Sequence, residues 1–307
     1  MVVFYTDFER LCLTMNIEID YFCRNGTYST ELRSLSLPVF LKHAALAGRA
    51  DYLSFPAGII RATGILLSNL EYFEFSKNFS WVGFTPLPPY MTDPTEHGDF
   101  SKIIGRAIGD YLAKTLLNAK FSHSYEAAMN IMGFPLIGKR PDLYCVTRTE
   151  QFAVEAKAYS KTTISHKSMV TRKKQAQSGP LPVHFAFASF TYNLFGALKC
   201  RFHDPVVPNA EYNKRLNALL AMNYYESLYQ QVGAGRQARS ININERRYLE
   251  FEMEDYIFSR RFNRIRLILP TAVEEGLSGD QYLNMDHERF ESEDIYLDSD
   301  GVGVHIV

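Results

Sequence analysis

Three ionisable residues lie in or beside apolar, strand-like stretches of the segment 138–161: Asp142, Glu155 and Lys157. Glu155 and Lys157 are two positions apart, and alternate residues of a strand project from the same face. If the two stretches pair as a hairpin across 147–151, Asp142 approaches that face near the end of the strand. The spacing therefore predicts a cluster of two carboxylates and one ammonium group.

The chemistry of such a cluster follows from the mutual repulsion of its carboxylates, which a cation between them relieves. Carboxylate oxygens are hard ligands that select Mg²⁺ or Mn²⁺, so Asp142 and Glu155 are candidate metal ligands. The ion activates water and neutralises charge on a phosphate, while Lys157 can orient or deprotonate the water or stabilise the charge. The prediction is a phosphodiester hydrolysis site. The alternative is a surface hairpin with an ordinary Glu155–Lys157 salt bridge.

The surrounding pattern predicts the elements that carry this cluster. Apolar residues at helical spacing predict a helix from Asp99 or Ser101 to about Asn118. It is followed by strand-like runs over Ser122–Met132, Asp142–Thr147 and Gln151–Ala158, a helix over Ser165–Gln177 and a strand over Pro182–Tyr192. The predicted order is α-β-β-β-α-β. The proline-rich stretch 80–98 predicts a connector and a domain boundary before this core.

The motif and the element order together resemble the PD-(D/E)XK nuclease superfamily, which has the restriction-endonuclease-like fold. The matching residues are Pro141-Asp142 and Glu155-Ala156-Lys157, and the resemblance covers residues 99–192. It implies an α/β (α+β) core with a mixed central sheet flanked by helices. It also implies a Mg²⁺- or Mn²⁺-dependent endonuclease that cuts DNA in restriction, anti-phage defence or DNA processing.

This resemblance divides the chain and suggests further site residues. Residues 99–204 are the expected nuclease core, between an accessory region (1–98) and a helical and strand extension with an acidic tail (205–307). Family members often add an acid from the first helix, which Asp110 matches by position; a solvated helix acid is the alternative. Glu126 competes with it as a metal ligand, and is the better candidate if its run forms a short helix. Gln175 matches a family residue that holds the phosphate or the water, with simple exposure as its alternative.

The net charge of −1 hides an uneven distribution. Residues 139–174 carry a net charge of +6 and residues 271–307 a net charge of −9. A basic site suits a polyanion such as DNA. The candidate phosphate contacts are Lys139, Arg140, Lys161, Arg172, Lys173 and Lys174, with a solvated helix face as the alternative for the last three. The acidic tail is interpreted as solvated surface, or as a mimic of nucleic acid.

Composition and missing motifs limit the remaining possibilities. No apolar run reaches the roughly 18 residues of a spanning helix, and residues 1–10 lack the basic region of a signal peptide. The four cysteines have neither disulfide nor zinc spacing. We therefore expect a soluble cytoplasmic protein without a membrane partner. The sequence contains no Walker A loop, no G-x-S-x-G elbow and no helix-turn-helix signature.

Two other functions remain open at this point. The chain could be a catalytically inactive nucleic-acid-binding or assembly subunit with the same fold. It could also be a regulatory protein whose helical block, about 209–231, packs on a partner. If it is a free-standing nuclease, we expect its activity to be restrained by a homodimer, by a protein partner, or by the segments outside the core.

Overall fold

A seven-stranded sheet is the central layer of the computed structural model. The structure describes residues 14–22, 28–48, 72–75, 81–86, 94–206, 210–232, 237–252 and 265–307. The strands of the sheet, in their spatial order, are β2 (Tyr28–Ser36), β1 (Thr14–Phe22), β9 (Leu198–Val206), β8 (Phe185–Tyr192), β7 (Gln151–Tyr159), β6 (Leu143–Val146) and β5 (Phe121–Ser124).

The strands of this sheet run in mixed directions. β7 pairs with β8 and β1 pairs with β9 in parallel, while the other neighbours are antiparallel. β5, β6 and β7 form the antiparallel part that contains the predicted hairpin. Because β1 pairs with β9, strands from the segments 1–98 and 99–204 belong to one sheet.

Helices cover both faces of the sheet. They are α1 (Leu37–Leu46), α2 (Pro94–Leu117), α3 (Tyr125–Ile131), α4 (His166–Ala176), α5 (Lys214–Val232) and α6 (Gly279–Asn284). On one face, α2 packs on β7 and α1 packs on α2, and apolar side chains of both helices share a core with Phe152 and Val154 of β7. On the other face, α3 and α5 enclose a second core that includes Ala153 and Tyr144. None of the helices in the described part of the chain combines the length and hydropathy that crossing a membrane would need.

A second, antiparallel sheet of six strands packs against this assembly. Its strands, in spatial order, are β10 (Arg239–Ile243), β11 (Arg246–Glu252), β12 (Ile265–Pro270), β15 (Gly303–Ile306), β14 (Ile295–Leu297) and β13 (Phe290–Glu291). The strands β3 (Phe73–Phe75) and β4 (Trp81–Phe84) form a separate two-stranded ribbon. Helix α1 contacts β14 and β15, so the C-terminal sheet lies against the helical layer.

The mixed α/β class and the mixed central sheet are confirmed, but two predicted elements are corrected. Helix α2 begins at Pro94 rather than at Asp99 or Ser101, because proline fits the first turn of a helix. The predicted strand over 122–132 is wrong beyond Ser124, where α3 begins. Ala127 and Ala128 are strong helix formers and therefore favour helix α3. Gly133, with φ of 74°, follows the end of this helix.

Candidate active site

Asp142 lies immediately before β6, opposite the middle of β7. Its backbone N–H donates to the carbonyl of Val154 at 3.1 Å, which fixes the register. Its Oδ2 accepts hydrogen bonds from the backbone N–H of Ala156 at 3.0 Å and from Lys157 Nζ at 2.7 Å. Its Oδ1 accepts from Arg106 Nη2 at 3.2 Å. Asp142 is thus held between two strands and helix α2.

Glu155 is a buried carboxylate in the middle of β7, with 0% of its surface exposed. Lys157 Nζ lies 2.8 Å from Oε1 in an ion pair, and Arg172 Nη1 lies 3.9 Å away. The ion pair is poorly aligned, so neither carboxylate oxygen has a hydrogen-bond partner. Burial, reinforced by the charge of Asp142, raises the pKa of Glu155 to about 8 against the opposing effect of Lys157. The Lys157 ammonium group alone thus does not keep Glu155 ionised at neutral pH, and either a proton or a further cation compensates the remaining charge.

The other two members of the cluster stay charged. Burial alone would raise the pKa of Asp142, but the positive charges of Lys157 and Arg106 hold it below its ordinary value. Burial would lower the pKa of Lys157, but Asp142 and Glu155 raise it above the ordinary lysine value. The site therefore combines an anionic Asp142 and a cationic Lys157 with the buried carboxyl group of Glu155, which lies beside Lys157.

Helix α4 brings Gln175 and Arg172 close to the cluster of Asp142, Glu155 and Lys157. Ser165 caps the helix by accepting a hydrogen bond from the N–H of Ser168 at 3.2 Å. One turn apart, Arg172 Nη1 donates to Gln175 Oε1 at 2.8 Å. Gln175 Nε2 donates to the carbonyl of Arg140 at 3.1 Å, so the amide is oriented by both neighbours.

A pocket of about 250 Å³ opens beside Asp142. Its lining residues are Arg106, Ser124, Glu126, Gly138, Lys139, Arg140, Pro141, Asp142 and Gln175. Glu126 of α3 lines this pocket, but its carboxylate accepts a hydrogen bond from Arg140 Nε at 2.8 Å. The pocket thus carries three cationic and two anionic side chains, which suits an anionic group of small size.

Asp110 lies on the opposite side of β7. Its Oδ2 is 2.6 Å from Nδ1 of His43 on α1, and the residue is buried. Against its burial, Lys114 and His43 hold the pKa of Asp110 below its ordinary value. The expected third ligand is therefore not brought to Asp142 and Glu155, because α2 presents its glycines, not Asp110, to the sheet.

The six candidate phosphate contacts divide into two groups. Lys139 and Arg140 line the pocket, and Arg172 approaches Glu155. Three others lie in the described part of the chain but do not line the pocket, namely Lys161, Lys173 and Lys174. Basic residues close to the cluster in sequence thus do not all line the pocket.

Arg106 is a site residue that the sequence interpretation missed. It donates to Asp142 from α2 and lines the pocket. Its neighbour Gly105 allows this approach, since a Cβ there would lie 2.9 Å from the backbone carbon of Lys157. The sequence feature that could have indicated Arg106 is its position directly after Gly105 in the predicted helix.

The donor set fits a hard divalent cation. Asp142 and Glu155 offer carboxylate oxygens, and those of Glu155 have no hydrogen-bond partner. Mg²⁺ commonly uses one or two carboxylates and completes its shell with water and substrate phosphate. Among the described residues, no group of three or more His, Cys, Asp or Glu side chains is arranged to hold a metal ion. The fit therefore depends on these two acids.

Comparisons of the chain with protein-family models, with curated proteins and with solved structures give no match. The class of this site is therefore inferred from its side chains and their arrangement alone. It contains two adjacent carboxylates, an ammonium group and a basic pocket at one edge of a β-hairpin. Such an arrangement can bind a divalent cation and an anionic ligand side by side.

Proposed function

We propose that this chain is a metal-dependent endonuclease that hydrolyses DNA phosphodiester bonds. The observation that carries the proposal is the pair of adjacent carboxyl groups, Asp142 and the fully buried Glu155, in which the 2.8 Å ion pair with Lys157 still leaves the pKa of Glu155 raised to about 8. Lys157 therefore does not fully offset the burial of this group beside a second carboxylate, and a proton or a divalent cation completes the compensation. The proposed setting is cytoplasmic, in restriction, anti-phage defence or DNA processing.

The order of elements around the site supports a restriction-endonuclease-like core. From α2 the chain continues through β5, β6 and β7, then α4 and β8, with the short helix α3 inserted after β5. Apart from this insertion, the order agrees with the α-β-β-β-α-β pattern of the PD-(D/E)XK resemblance. The proposed motif, Asp142 with Glu155 and Lys157, lies on the central hairpin of that pattern.

In this proposal Asp142 and Glu155 hold Mg²⁺ or Mn²⁺. When bound, the ion supplies Lewis-acid activation of water and neutralises charge on the phosphate. The raised pKa of Lys157 keeps its side chain as an ammonium group, so it stabilises negative charge on the attacked phosphate rather than acting as a base. Gln175, oriented by Arg172 and the Arg140 carbonyl, donates to the phosphate or orients the water.

The pocket supports a polyanionic substrate. Arg106, Lys139 and Arg140 line it next to Asp142, and Glu126 pairs with one of these cations. Basic side chains that neutralise phosphates supply most of the non-specific affinity for DNA. In the substrate complex we expect Arg106 to exchange part of its contact with Asp142 for a phosphate oxygen.

A second candidate is a catalytically inactive nucleic-acid-binding or assembly subunit with the same fold. It is favoured by the pairing of Asp142 with Lys157 and Arg106, which neutralises this carboxylate without a metal. In that case DNA would bind to the basic pocket and remain intact. The two candidates therefore differ in whether phosphodiester cleavage accompanies binding.

Plasmid cleavage with Mg²⁺ or with EDTA separates these candidates. We expect cleavage only with Mg²⁺, and a loss of at least about a hundredfold in Asp142→Asn, Glu155→Gln and Lys157→Met. Glu150→Gln is the matched control, because it makes the same change at the turn of the same hairpin, and it should cut like the wild type. Cleavage that survives all three site substitutions would contradict the proposed site. DNA binding without cleavage under either condition would favour the inactive subunit.

A further inference from the structure

The loop between α3 and β6 exposes several aliphatic side chains beside the pocket. Met132 and Leu136 are each 42% exposed, and Ile137 is 76% exposed. A single exposed leucine is ordinary, but a cluster of exposed apolar side chains in one short loop commonly marks a binding surface. We call Met132, Leu136 and Ile137 the apolar lip.

The apolar lip is carried by an anchored loop. The N–H of Gly133 donates to the carbonyl of Asn130 at 3.0 Å, and that of Phe134 to the carbonyl of Met129 at 2.9 Å. The Phe134 side chain packs against the core that lies between α3 and α5. Farther along, the N–H of Ile137 donates to the carbonyl of Pro135 at 2.9 Å. The exposed side chains are therefore presented on a fixed support.

The lip continues directly into the pocket. The next residues in the chain, Gly138, Lys139, Arg140 and Pro141, line the pocket together with Asp142. A phosphate bound there would have its neighbouring sugar and base next to the lip. Aliphatic side chains cannot pair with phosphates or with the polar edges of bases, but they pack against bases that have been unstacked.

We infer that the apolar lip contacts the bases of bound DNA, with Leu136 and Ile137 inserted at a base step next to the scissile phosphate. This inference rests on the proposed function and extends it from phosphate binding to base contact. The charge next to the lip argues for nucleic acid rather than a second protein surface. Lys139 and Arg140 suit phosphates, while the lip itself is uncharged.

The first test measures DNA affinity in EDTA, where cleavage does not interfere. Leu136→Ser combined with Ile137→Ser should weaken binding about tenfold without changing the slope of affinity against salt, because no phosphate contact is lost. In contrast, Lys139→Gln should reduce that slope by about one. The matched control is Leu32→Ser, which removes a 69% exposed leucine from β2 at the far edge of the sheet and should bind like the wild type.

The second test uses tryptophan fluorescence to report contact with bases. Trp81 is the one tryptophan of the sequence, so Trp81→Phe combined with Ile137→Trp gives a single reporter on the lip. Stacking on bases should quench its emission at least about twofold when DNA is added. The same background with Leu32→Trp should show no quenching.

The outcomes separate the inference from the proposed function. If the wild type binds and cuts DNA, but the lip variants bind equally well and the reporter is not quenched, the inference is wrong and the proposed function stands. If the wild type neither binds nor cuts DNA, the proposed function fails and the inference fails with it. If light scattering shows a wild-type dimer that the lip variants dissociate, the lip is a protein contact and the inference is overturned.

Discussion

At the residue scale, the protonation of Glu155 is the property that most distinguishes this site. The carboxylate is buried, and its two closest charged neighbours, Asp142 and Lys157, act on it in opposite directions. Burial has the largest effect, so the folded protein keeps the Glu155 proton at a pH at which the unfolded chain has lost it. A bound cation would take the place of that proton.

This difference predicts a pH dependence of stability in metal-free protein. The unfolded chain loses the Glu155 proton at the ordinary pKa of 4.5, whereas the folded protein keeps it to about 8. The contribution of Glu155 to the free energy of unfolding therefore falls as pH rises between these values. Glu155→Gln removes this loss, so its stability relative to the wild type should increase across the window.

Urea unfolding in EDTA at several pH values checks this prediction. Glu150→Gln is again the matched control and should follow the wild-type curve. Parallel curves for Glu155→Gln and the wild type would contradict the assigned protonation, and with it the argument that the site requires a compensating cation.

At the element scale, the close approach of α2 to β7 brings Arg106 to Asp142. A Cβ on Gly105 would lie 2.9 Å from the carbonyl carbon of Lys157 and 3.0 Å from the backbone nitrogen of Ala158. Backbone atoms of a central strand cannot move away at low cost. This helix–strand contact therefore sets the position of the strand end that carries Lys157.

We expect Gly105→Ala to reduce both stability and catalytic activity. Alanine would normally stabilise a helix by about 1 kcal/mol relative to glycine, but overpacking against β7 costs about 1–3 kcal/mol, so the net effect is destabilising. Gly98→Ala is the matched control in the same helix. Nothing lies within 4 Å of its added Cβ, so this variant should be equally or more stable. Thermal unfolding measures both variants, and a stabilised Gly105→Ala would contradict the described packing.

Local patterns account for most of the predicted elements. The helix expected over 165–177 spans His166–Ala176, and the strand expected over 182–192 spans Phe185–Tyr192. The exception is the region after β5, where a short strand is followed directly by α3. An apolar run of that length looks the same whether it is one strand or a strand and a helix.

The residues of the candidate site also fall into those that local sequence patterns predict and those that depend on tertiary packing. Strand alternation and one hairpin are local, so they were sufficient to group Asp142, Glu155 and Lys157 from the sequence. The contact of Arg106 and the location of Asp110 depend on how α2 packs across the sheet. No spacing in the sequence encodes that packing directly.

At the scale of the whole molecule, a buried ionic cluster joins the C-terminal sheet to the helical layer. Lys42 Nζ lies 2.6 Å from Asp298 Oδ2, and Lys114 Nζ lies 2.5 Å from Asp300 Oδ2. Tyr224 donates to the same Asp300 oxygen at 2.7 Å. The interpretation of the acidic tail as solvated surface or as a nucleic-acid mimic is therefore wrong for Asp298 and Asp300, which are buried.

We expect Lys114→Met to destabilise the protein by about 3–5 kcal/mol, because it removes one of the two buried ammonium groups that neutralise Asp298 and Asp300 and leaves the Lys42 ammonium group to compensate both. The control Lys102→Met lies on the same helix, in an exposed pair with Asp99, and should change stability by less than about 0.5 kcal/mol. Urea unfolding at neutral pH measures both. Equal effects of the two substitutions would contradict the role of the cluster.

The same cluster predicts loss of stability in acid. Against their burial, Lys42 and Lys114 hold the pKa values of Asp298 and Asp300 below the ordinary 3.8. Their contribution to stability is thus present above pH 3.8 and is lost as pH falls below it. Lys114→Met should weaken this acid dependence, which unfolding curves at low pH would show.

The most direct measurement for the central claim is Mn²⁺ binding, followed by electron paramagnetic resonance in the presence of duplex DNA. We predict that the wild type and Glu150→Gln bind the ion at this site, and that Asp142→Asn and Glu155→Gln do not bind it. Undiminished Mn²⁺ binding in both site variants, or no binding by the wild type, would contradict the assignment of Asp142 and Glu155 as the ligands of a catalytic cation.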